Sequence, residues 1–153
     1  MKVHRCTIDD LEMVDAILRH PSIYKMISDD GSPESNGYSA RNYLESEHIY
    51  YLLIGDSALF MLHPLNSVCY QVHASVLPEG RGAAAVTACM SGVRWMWENS
   101  PAQKIIGIFP ESNRKAYALC KRVGMVVEGL LAKSYQKHGK LIDQVIMGLC
   151  REE

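Results

Sequence analysis

The stretch Phe109–Met125, FPESNRKAYALCKRVGM, joins the end of a short strand to a short helix that carries a signal at each end. Ser112 and Asn113 precede the helical run, and short polar side chains of this kind accept a hydrogen bond from the first free backbone N–H groups. Gly124 follows the run, where glycine readily takes the left-handed backbone conformation that ends many helices. The stretch therefore predicts a helix over Ser112–Val123.

A second stretch upstream, Val76–Val86 or VLPEGRGAAAV, predicts the end of a strand, a loop, and the start of a helix rich in small residues. The loop contains Gly80, Arg81 and Gly82. Small side chains let a ligand approach the backbone, and the free N–H groups at a helix start favour phosphate oxygens. Arg81 could add a charge-assisted contact. The alternative is an ordinary loop in which the glycines serve only the turn.

The elements around these stretches predict one α/β domain over residues 1–153, built on a mixed sheet. A strand over Tyr70–Leu77, a long helix over Ala83–Glu98 and a strand over Lys104–Phe109 form a right-handed crossover unit, whose two strands are parallel. Three β-like runs joined by turns predict an antiparallel meander before it, at Ile49–Ile54, Ala58–His63 and Val68–Leu77. Helical patterns occupy Asp10–Arg19, Pro21–Ile27 and Ser39–Glu47, and the last strands are predicted at Met125–Glu128 and Ile142–Leu149.

The last strand of the meander has one apolar and one polar face, because side chains alternate along a strand. The apolar face is formed by Tyr70, Val72, Ala74 and Val76, and the polar face by Cys69, Gln71, His73 and Ser75. A central strand that is covered on both sides is usually apolar throughout. The polar row therefore predicts a cleft beside this strand.

Composition argues against several classes of function. The 153 residues carry a formal net charge of −1 and a pI near 6.6, which gives no overall attraction to nucleic acid or to an anionic membrane. No apolar run approaches the roughly 18 residues of a membrane span, and the N-terminus lacks the apolar segment of a secretory signal. Five scattered cysteines without a C-x-x-C pair favour reduced thiols in the cytoplasm. The histidines lack metal-binding spacing, so no metal is expected.

Together the two stretches resemble the GNAT superfamily of N-acetyltransferases, in particular its small phage or bacterial members. The superfamily pattern is V-x-P-x-x-R-G-x-G-x-G at the pyrophosphate loop and then, after a helix and a strand, N-x-x-A-x-x-L-Y-x-x-x-G-F. The matching residues are Val76, Pro78, Arg81 and Gly82 in the first part, and Asn113, Ala116, Leu119 and Gly124 in the second. Ala84 and Val86 stand where the loop usually repeats glycine, and Cys120 stands where the tyrosine is frequent. The order of elements is similar over the whole chain.

The resemblance implies a GNAT fold, in which the fourth and fifth strands splay apart, and acetyl-CoA as the co-substrate. It implies coenzyme contacts from seven residues: Val76, Leu77, Arg81, Gly82, Ala83, Ala84 and Asn113. Backbone N–H groups near Val76 and Leu77 would bind the oxyanion, and Asn113 would contact the pantetheine arm or an ordered water. Helix capping alone also explains this asparagine.

The acceptor that the resemblance implies is a primary amine on a small molecule or a peptide. No nucleic-acid or membrane partner is expected, and a homodimer is left open. Nothing in the sequence specifies which amine is acetylated.

Acyl transfer from a thioester to an amine needs a base, an oxyanion donor and a route by which the thiolate leaves. His73 in the polar row is the candidate base, since a free histidine titrates near pH ~6.5; the alternative is a hydrogen-bonded structural histidine. Cys120 is a candidate acid, since its reference pKa of about 8.5 is close to that of a coenzyme thiol. Tyr117, three residues earlier on the helix surface, offers a substitute hydroxyl. The alternatives for these two residues are a buried apolar cysteine and a core aromatic.

A protein that keeps the fold but serves binding or assembly instead of catalysis is the rival hypothesis. Ala84, Val86 and Cys120 favour it, as does the absence of an obvious carboxylate base. Binding of acetyl-CoA followed by turnover distinguishes the two hypotheses.

Overall fold

The computed structural model describes all 153 residues, which form one seven-stranded mixed sheet with five α-helices. The strands lie in the order β1-β2-β3-β4-β5-β7-β6. Their bounds are β1 Val3–Arg5, β2 Tyr50–Ile54, β3 Ala58–Pro64, β4 Cys69–Val76, β5 Lys104–Pro110, β6 Val126–Lys137 and β7 Lys140–Cys150. The helices are α1 Leu11–Leu18, α2 Pro21–Ile27, α3 Arg41–Leu44, α4 Ala83–Asn99 and α5 Arg114–Arg122. The predicted α/β class and mixed sheet are confirmed.

β4 and β5 are the parallel pair that the crossover through α4 predicts, and they separate soon after they meet. Their pairing covers only Cys69–Gln71 against Lys104–Ile106. Beyond this point β4 stays paired with β3 up to Val76, and β5 stays paired with β7 up to Pro110. Each strand therefore follows its own half of the sheet, and a V-shaped gap opens between them.

The sheet is covered on both faces, which divides the core in two. Tyr50, Leu52 and Phe60 pack on the face that carries α4 and α5, whereas Tyr51 and Leu59 pack on the face that carries α1 and α2. The approach of α4 depends on Gly92, where a Cβ atom would lie 2.8 Å from the Cδ1 atom of Ile54. α4 is the longest helix, with 17 residues, and no helix in the protein is both long and apolar enough to cross a membrane.

The last two strands are much longer than the sequence predicts. β6 has 12 residues and β7 has 11, whereas the expected strands were Met125–Glu128 and Ile142–Leu149. Most of β6 is exposed at the sheet edge, so no buried face imposes the apolar alternation from which strands are recognised. The hairpin turn contains His138 and Gly139 at φ 53° and 74°, and two positive φ values in succession are typical of a type I′ turn.

The tip of this hairpin is fastened to the loop that follows α2. The Asp30 carboxylate accepts hydrogen bonds from the backbone N–H groups of His138 and Gly139, both at 2.8 Å. The hydroxyl of Tyr135 donates to the carbonyl of Ser28 at 2.8 Å. These bonds hold the loop against the sheet, where it forms one wall of the pocket described below.

Candidate active site

The backbone of β4 lines the gap. The Leu77 N–H donates to the Ser57 carbonyl at 2.8 Å, on the β3 side of the strand. Hydrogen-bonded and non-hydrogen-bonded pairs alternate along antiparallel strands, so the N–H and C=O of Val76, which lies opposite Ala58, point into the gap. Val76 can offer a free N–H to an oxyanion. The Leu77 N–H is already bonded, which corrects the expectation that both residues supply this contact.

The start of α4 lies at the open end of the gap and has unpaired backbone donors. Gly82 is the N-cap residue, and no side chain caps the helix. The N–H groups of Gly82, Ala83 and Ala84 have no acceptor in the protein, and all three residues are exposed. Three free N–H groups at the positive end of a helix dipole suit a phosphate group.

The two glycines of this loop meet different structural requirements. A Cβ atom at Gly80 would lie 2.0 Å from Ser57 Oγ, so this glycine allows the loop to pack against the start of β3. Gly82 has φ 81° and ψ −138°, close to a region of backbone conformation that only glycine occupies readily. The turn itself therefore requires both residues, whether or not a ligand binds there.

Arg81 is exposed and lies at the same end of the gap. Its Nε atom donates to the carbonyl of Val76 at 3.2 Å, and its Nη2 atom donates to the carbonyl of Ser22 at 3.4 Å. The side chain thus links the end of β4 to α2. Both contacts are long, so a phosphate group at the start of α4 can compete with them for the guanidinium.

The cleft predicted beside the polar face of β4 is present. His73 and Ser75 line a pocket of about 390 Å³ on the face of the sheet that carries α1 and α2. His73 follows the end of the β4–β5 pairing by two residues. The pocket and the gap therefore meet at this histidine.

His73 has a partner that the sequence analysis missed. The Nε2 atoms of His63 and His73 lie 3.2 Å apart, and the ring centroids lie 5.3 Å apart at an interplanar angle of 22°, so the two rings meet nearly edge to edge through these nitrogens. His63 lies on β3, diagonal to His73, whose direct neighbour is Met61. The register of the two strands would have revealed the pair, because diagonal neighbours on one face of a sheet can touch.

Both histidines are held in the neutral form. The His73 side chain is exposed at the pocket opening, but the protein atoms around the ring remove part of its hydration. This loss, followed by the repulsion of His63, lowers the pKa of His73 to about 4. Burial also lowers the pKa of His63. At pH 7 one ring nitrogen of the pair donates its proton and the other accepts it. A neutral imidazole is thus available to take up a proton.

Titration should detect this state directly. We expect the His73 ring to titrate near pH ~4 in NMR spectra and not near the usual value of about 6.5. The unfolded chain binds a proton at the higher pH, so the free energy of unfolding should fall as the pH drops from about 6.5 towards 4. His73→Gln should flatten this dependence, and His63→Asn should raise the pKa of His73 by removing the repulsion. Titration of the His73 ring near pH ~6.5 would contradict the assignment.

α5 has the cap and the stop that its sequence predicts. The Asn113 Oδ1 atom accepts a hydrogen bond from the Ala116 N–H at 3.1 Å, which confirms this residue as the cap. At the other end the Met125 N–H donates to the Cys120 carbonyl at 3.0 Å, and Gly124 has φ 94°. These features form a Schellman motif. The amide nitrogen of Asn113 has no partner in the protein, so capping leaves this donor free.

Tyr117 and Cys120 lie on the other face of the sheet from His73. Both are half-buried against the small cluster of Phe109, Met125 and Met147. Burial raises the pKa of the Cys120 thiol to about 11, so the close match to a coenzyme thiol, expected from the reference value, does not hold. The β4–β5 gap separates these two residues from the candidate base.

Two single substitutions separate the candidate acids. Tyr117→Phe should lower kcat by roughly tenfold, less than the 10²–10⁴ typical of general acid–base catalysis, because a thiolate is a good leaving group. Cys120→Ala should leave kcat close to the wild-type value, because the raised pKa makes its thiol a poor donor. Steady-state rates at saturating acetyl-CoA measure both effects. A larger loss in Cys120→Ala would assign the proton to the cysteine instead.

One further set of potential ligands, outside the gap, has a structural role. His4, Cys6 and Asp10 have ligand atoms within 4.8 Å of one another. The Asp10 Oδ2 atom already accepts from the Thr7 N–H at 2.8 Å and lies 3.0 Å from His4 Nε2. The bond from Thr7 belongs to the capping box that begins the first helical segment.

The overall geometry is shared with acetyltransferases of known structure. The sequence matches none of the protein-family profiles and none of the curated proteins with which it was compared. Spermidine N-acetyltransferase from Vibrio cholerae, in complex with CoA and spermine, superposes with a TM-score of 0.79 at 15% identity, covering 97% of this chain and 94% of that one.

Two acetyltransferases named for ribosomal proteins superpose almost as well. For ribosomal-protein-S5-alanine acetyltransferase from Vibrio fischeri the TM-score is 0.78 at 13% identity, covering 99% of this chain and 93% of that one. For ribosomal-protein-alanine N-acetyltransferase from Brucella melitensis it is 0.76 at 16% identity, covering 99% and 100%. The protein therefore has the GNAT fold, as its motifs indicate.

Proposed function

We propose that this protein is a coenzyme-A-dependent N-acyltransferase that moves an acetyl group from acetyl-CoA to a primary amine of a small molecule or peptide. The observation that carries the proposal is the position of the gap between β4 and β5. At its open end lie the free N–H groups of Gly82, Ala83 and Ala84. On its other side lies the pocket that contains His73. A thioester held in the gap would therefore face an amine held in the pocket.

Different residues around the gap bind different parts of acetyl-CoA. The N–H groups at the start of α4 bind the pyrophosphate, and Arg81 adds a charge-assisted hydrogen bond. The Val76 N–H hydrogen-bonds the thioester carbonyl and stabilises the oxyanion that forms when the amine attacks. The free amide nitrogen of Asn113 donates to the pantetheine arm.

His73 receives the proton that the amine loses. A neutral imidazole with a pKa near 4 is too weak a base to deprotonate a free alkylammonium ion, so the amine must react in its neutral form. The nitrogen of the tetrahedral adduct is far more acidic, and His73 can accept its proton. The C–S bond then breaks, and the thiolate takes a proton from Tyr117 or from water; Cys120 is the weaker candidate donor because its pKa is raised.

Binding and turnover are tested separately. Calorimetry with acetyl-CoA should give a one-to-one complex, and saturating acetyl-CoA should raise the melting temperature by mass action. Release of the CoA thiol should then depend on an added primary amine. Absence of binding at millimolar acetyl-CoA would overturn the proposal.

The rival function, binding or assembly without acetyl transfer, is favoured by the raised pKa of Cys120 and by Ala84 and Val86 in the loop. It predicts that acetyl-CoA or CoA binds but that no amine causes thiol release. Measurements of CoA thiol release with a broad set of primary amines decide between the two functions.

Asn113→Asp separates capping from coenzyme binding. Asp caps a helix about as well as Asn, so the free energy of unfolding should change by only a few tenths of a kcal/mol. The ionised carboxylate cannot donate a hydrogen bond, so affinity for acetyl-CoA should fall by about 1–2 kcal/mol. Calorimetry and thermal unfolding of the same preparation measure both quantities. Unchanged affinity would leave Asn113 with the cap alone.

The cellular setting and the assembly state belong to the same proposal. Five cysteines without a disulfide support a reducing compartment such as the cytoplasm.

A homodimer is supported by the edge strand β6, where Val126 and Leu130 expose 60% and 56% of their surface. Sedimentation at micromolar concentration tests the dimer.

A further inference from the structure

The pocket that His73 lines is aromatic and apolar, and it has no charged wall. Four tyrosines surround it, Tyr24, Tyr38, Tyr43 and Tyr51. Aliphatic side chains contribute most of the remaining surface, among them Leu18, Ile27, Ile49 and Leu59. The polar groups are the four tyrosine hydroxyls, two serines and the two paired histidines. No aspartate, glutamate, lysine or arginine lines it.

The nearest buried carboxylate is not available to a ligand. Asp15 accepts hydrogen bonds from the Ala40 N–H at 2.7 Å and from the Ser39 hydroxyl at 2.8 Å. Its second oxygen also lies 3.6 Å from the guanidinium of Arg19. Both oxygens therefore serve to attach the loop before α3 to α1, and neither is left to pair with a cationic substrate.

We propose that the acceptor is a small arylalkylamine, meaning one primary amine on a short chain that ends in an uncharged aromatic ring. This inference rests on the proposed acetyl transfer and names the substrate class for the same pocket. The amine lies at the His63–His73 end, beside the gap, and the aromatic ring lies among the tyrosines.

The dimensions and the lining fit such a ligand. The volume of about 390 Å³ is near the lower end of the range of about 300–1,000 Å³ that is usual for small-molecule sites. Tyr24 and Tyr38 meet edge to face, with centroids 5.9 Å apart and an interplanar angle of 63°. A ligand ring can extend this arrangement, because aromatic rings favour edge-to-face and offset contacts.

The same lining opposes polyamines. Inside the pocket, the second and third ammonium groups of a polyamine would find no carboxylate to pair with, because the lining contains none. Desolvation of an unpaired charge costs several kcal/mol, and cation–π contact with tyrosine returns only part of this. The pocket therefore accommodates a substrate that has a single amino group.

Thiol release with matched amines tests the substrate class. We expect kcat/KM for 2-phenylethylamine to exceed that for spermidine by at least about 100-fold, since each unpaired buried ammonium is so costly. n-Butylamine, which lacks the ring, should fall between them. Equal or better use of spermidine would overturn the inference, and so would acetylation of a peptide with N-terminal phenylalanine but not of the free amine.

A charge placed in the wall tests the physical reason. Ile27 lines the pocket at the end of α2 and is 36% exposed, so it tolerates a polar side chain. Ile27→Glu should lower the ratio of kcat/KM for 2-phenylethylamine to that for spermidine at least tenfold relative to Ile27→Gln, which has similar size and no charge. Identical ratios in the two variants would show that charge in this wall does not select the substrate.

Amine binding without coenzyme keeps this inference separate from the proposed function. Saturation-transfer NMR should show the ring protons of 2-phenylethylamine in contact with the protein, and Ile27→Glu should weaken the signal relative to Ile27→Gln. Failure of acetyl-CoA to bind, with amine binding intact, would overturn the proposed function alone. Acetyl-CoA binding with no saturation transfer to the arylalkylamine would overturn this inference alone.

Discussion

Ala84→Glu should strongly weaken acetyl-CoA binding while leaving the protein at least as stable as the wild type. Ala84 is exposed in the first turn of α4, beside the free N–H groups of Gly82 and Ala83. A carboxylate there interacts favourably with the helix dipole, by about 0.3–1 kcal/mol. It also places negative charge where the pyrophosphate would bind, so we expect the dissociation constant to rise by at least about 100-fold.

Ala84→Gln is the matched control, because it adds nearly the same volume without the charge. Its dissociation constant should stay within about tenfold of the wild-type value. The difference in affinity between the two variants should become smaller at high salt, because salt screens the added charge. Gly82 is a poorer position for this test, because a side chain at φ 81° adds backbone strain of about 1–3 kcal/mol. Calorimetry gives the affinities and thermal unfolding gives the stabilities. Equal binding by Ala84→Glu and the wild type would exclude the start of α4 as the pyrophosphate site.

The elements around the gap could be predicted from sequence because local signals and packing agree there. Asn113 caps α5 and Gly124 ends it, at the two positions that the local sequence predicts. The crossover between β4 and β5 follows from the length of α4 and the apolar character of the strands it joins. The polar row on β4 predicted a cleft because a central strand that is covered on both faces usually carries apolar residues on both.

Other features depend on contacts between distant segments, which no local pattern contains. His63 meets His73 only through the register of β3 on β4. The hydrogen bond from the Leu77 N–H to the Ser57 carbonyl likewise follows from this register. It occupies an N–H group that was expected to bind the oxyanion. The raised pKa of Cys120 comes from burial, which a reference value for a free thiol cannot reflect.

His73→Gln should lower kcat by about 10²–10³-fold with little change in affinity for acetyl-CoA. Glutamine can still hydrogen-bond to His63, so the pocket should keep its shape, but its amide cannot take up a proton. The expected loss is that of a general base removed from an acyl transfer. Steady-state kinetics at saturating acetyl-CoA measure kcat, and calorimetry measures the affinity.

His63→Gln is the matched control for this substitution, because it changes the partner and keeps the candidate base. Its kcat should fall much less, and the pKa of His73 should rise, since the repulsion from His63 is removed. His73→Ala adds a second test, because imidazole supplied in the buffer can enter the space left by the ring and restore part of kcat. If the ring acts as a base, the rescue should vary with the basicity of the azole that is added; if the ring only fills space, azoles of equal size should rescue equally. Full activity in His73→Gln would assign His73 to the wall of the pocket, and the tetrahedral adduct would then lose its proton to water.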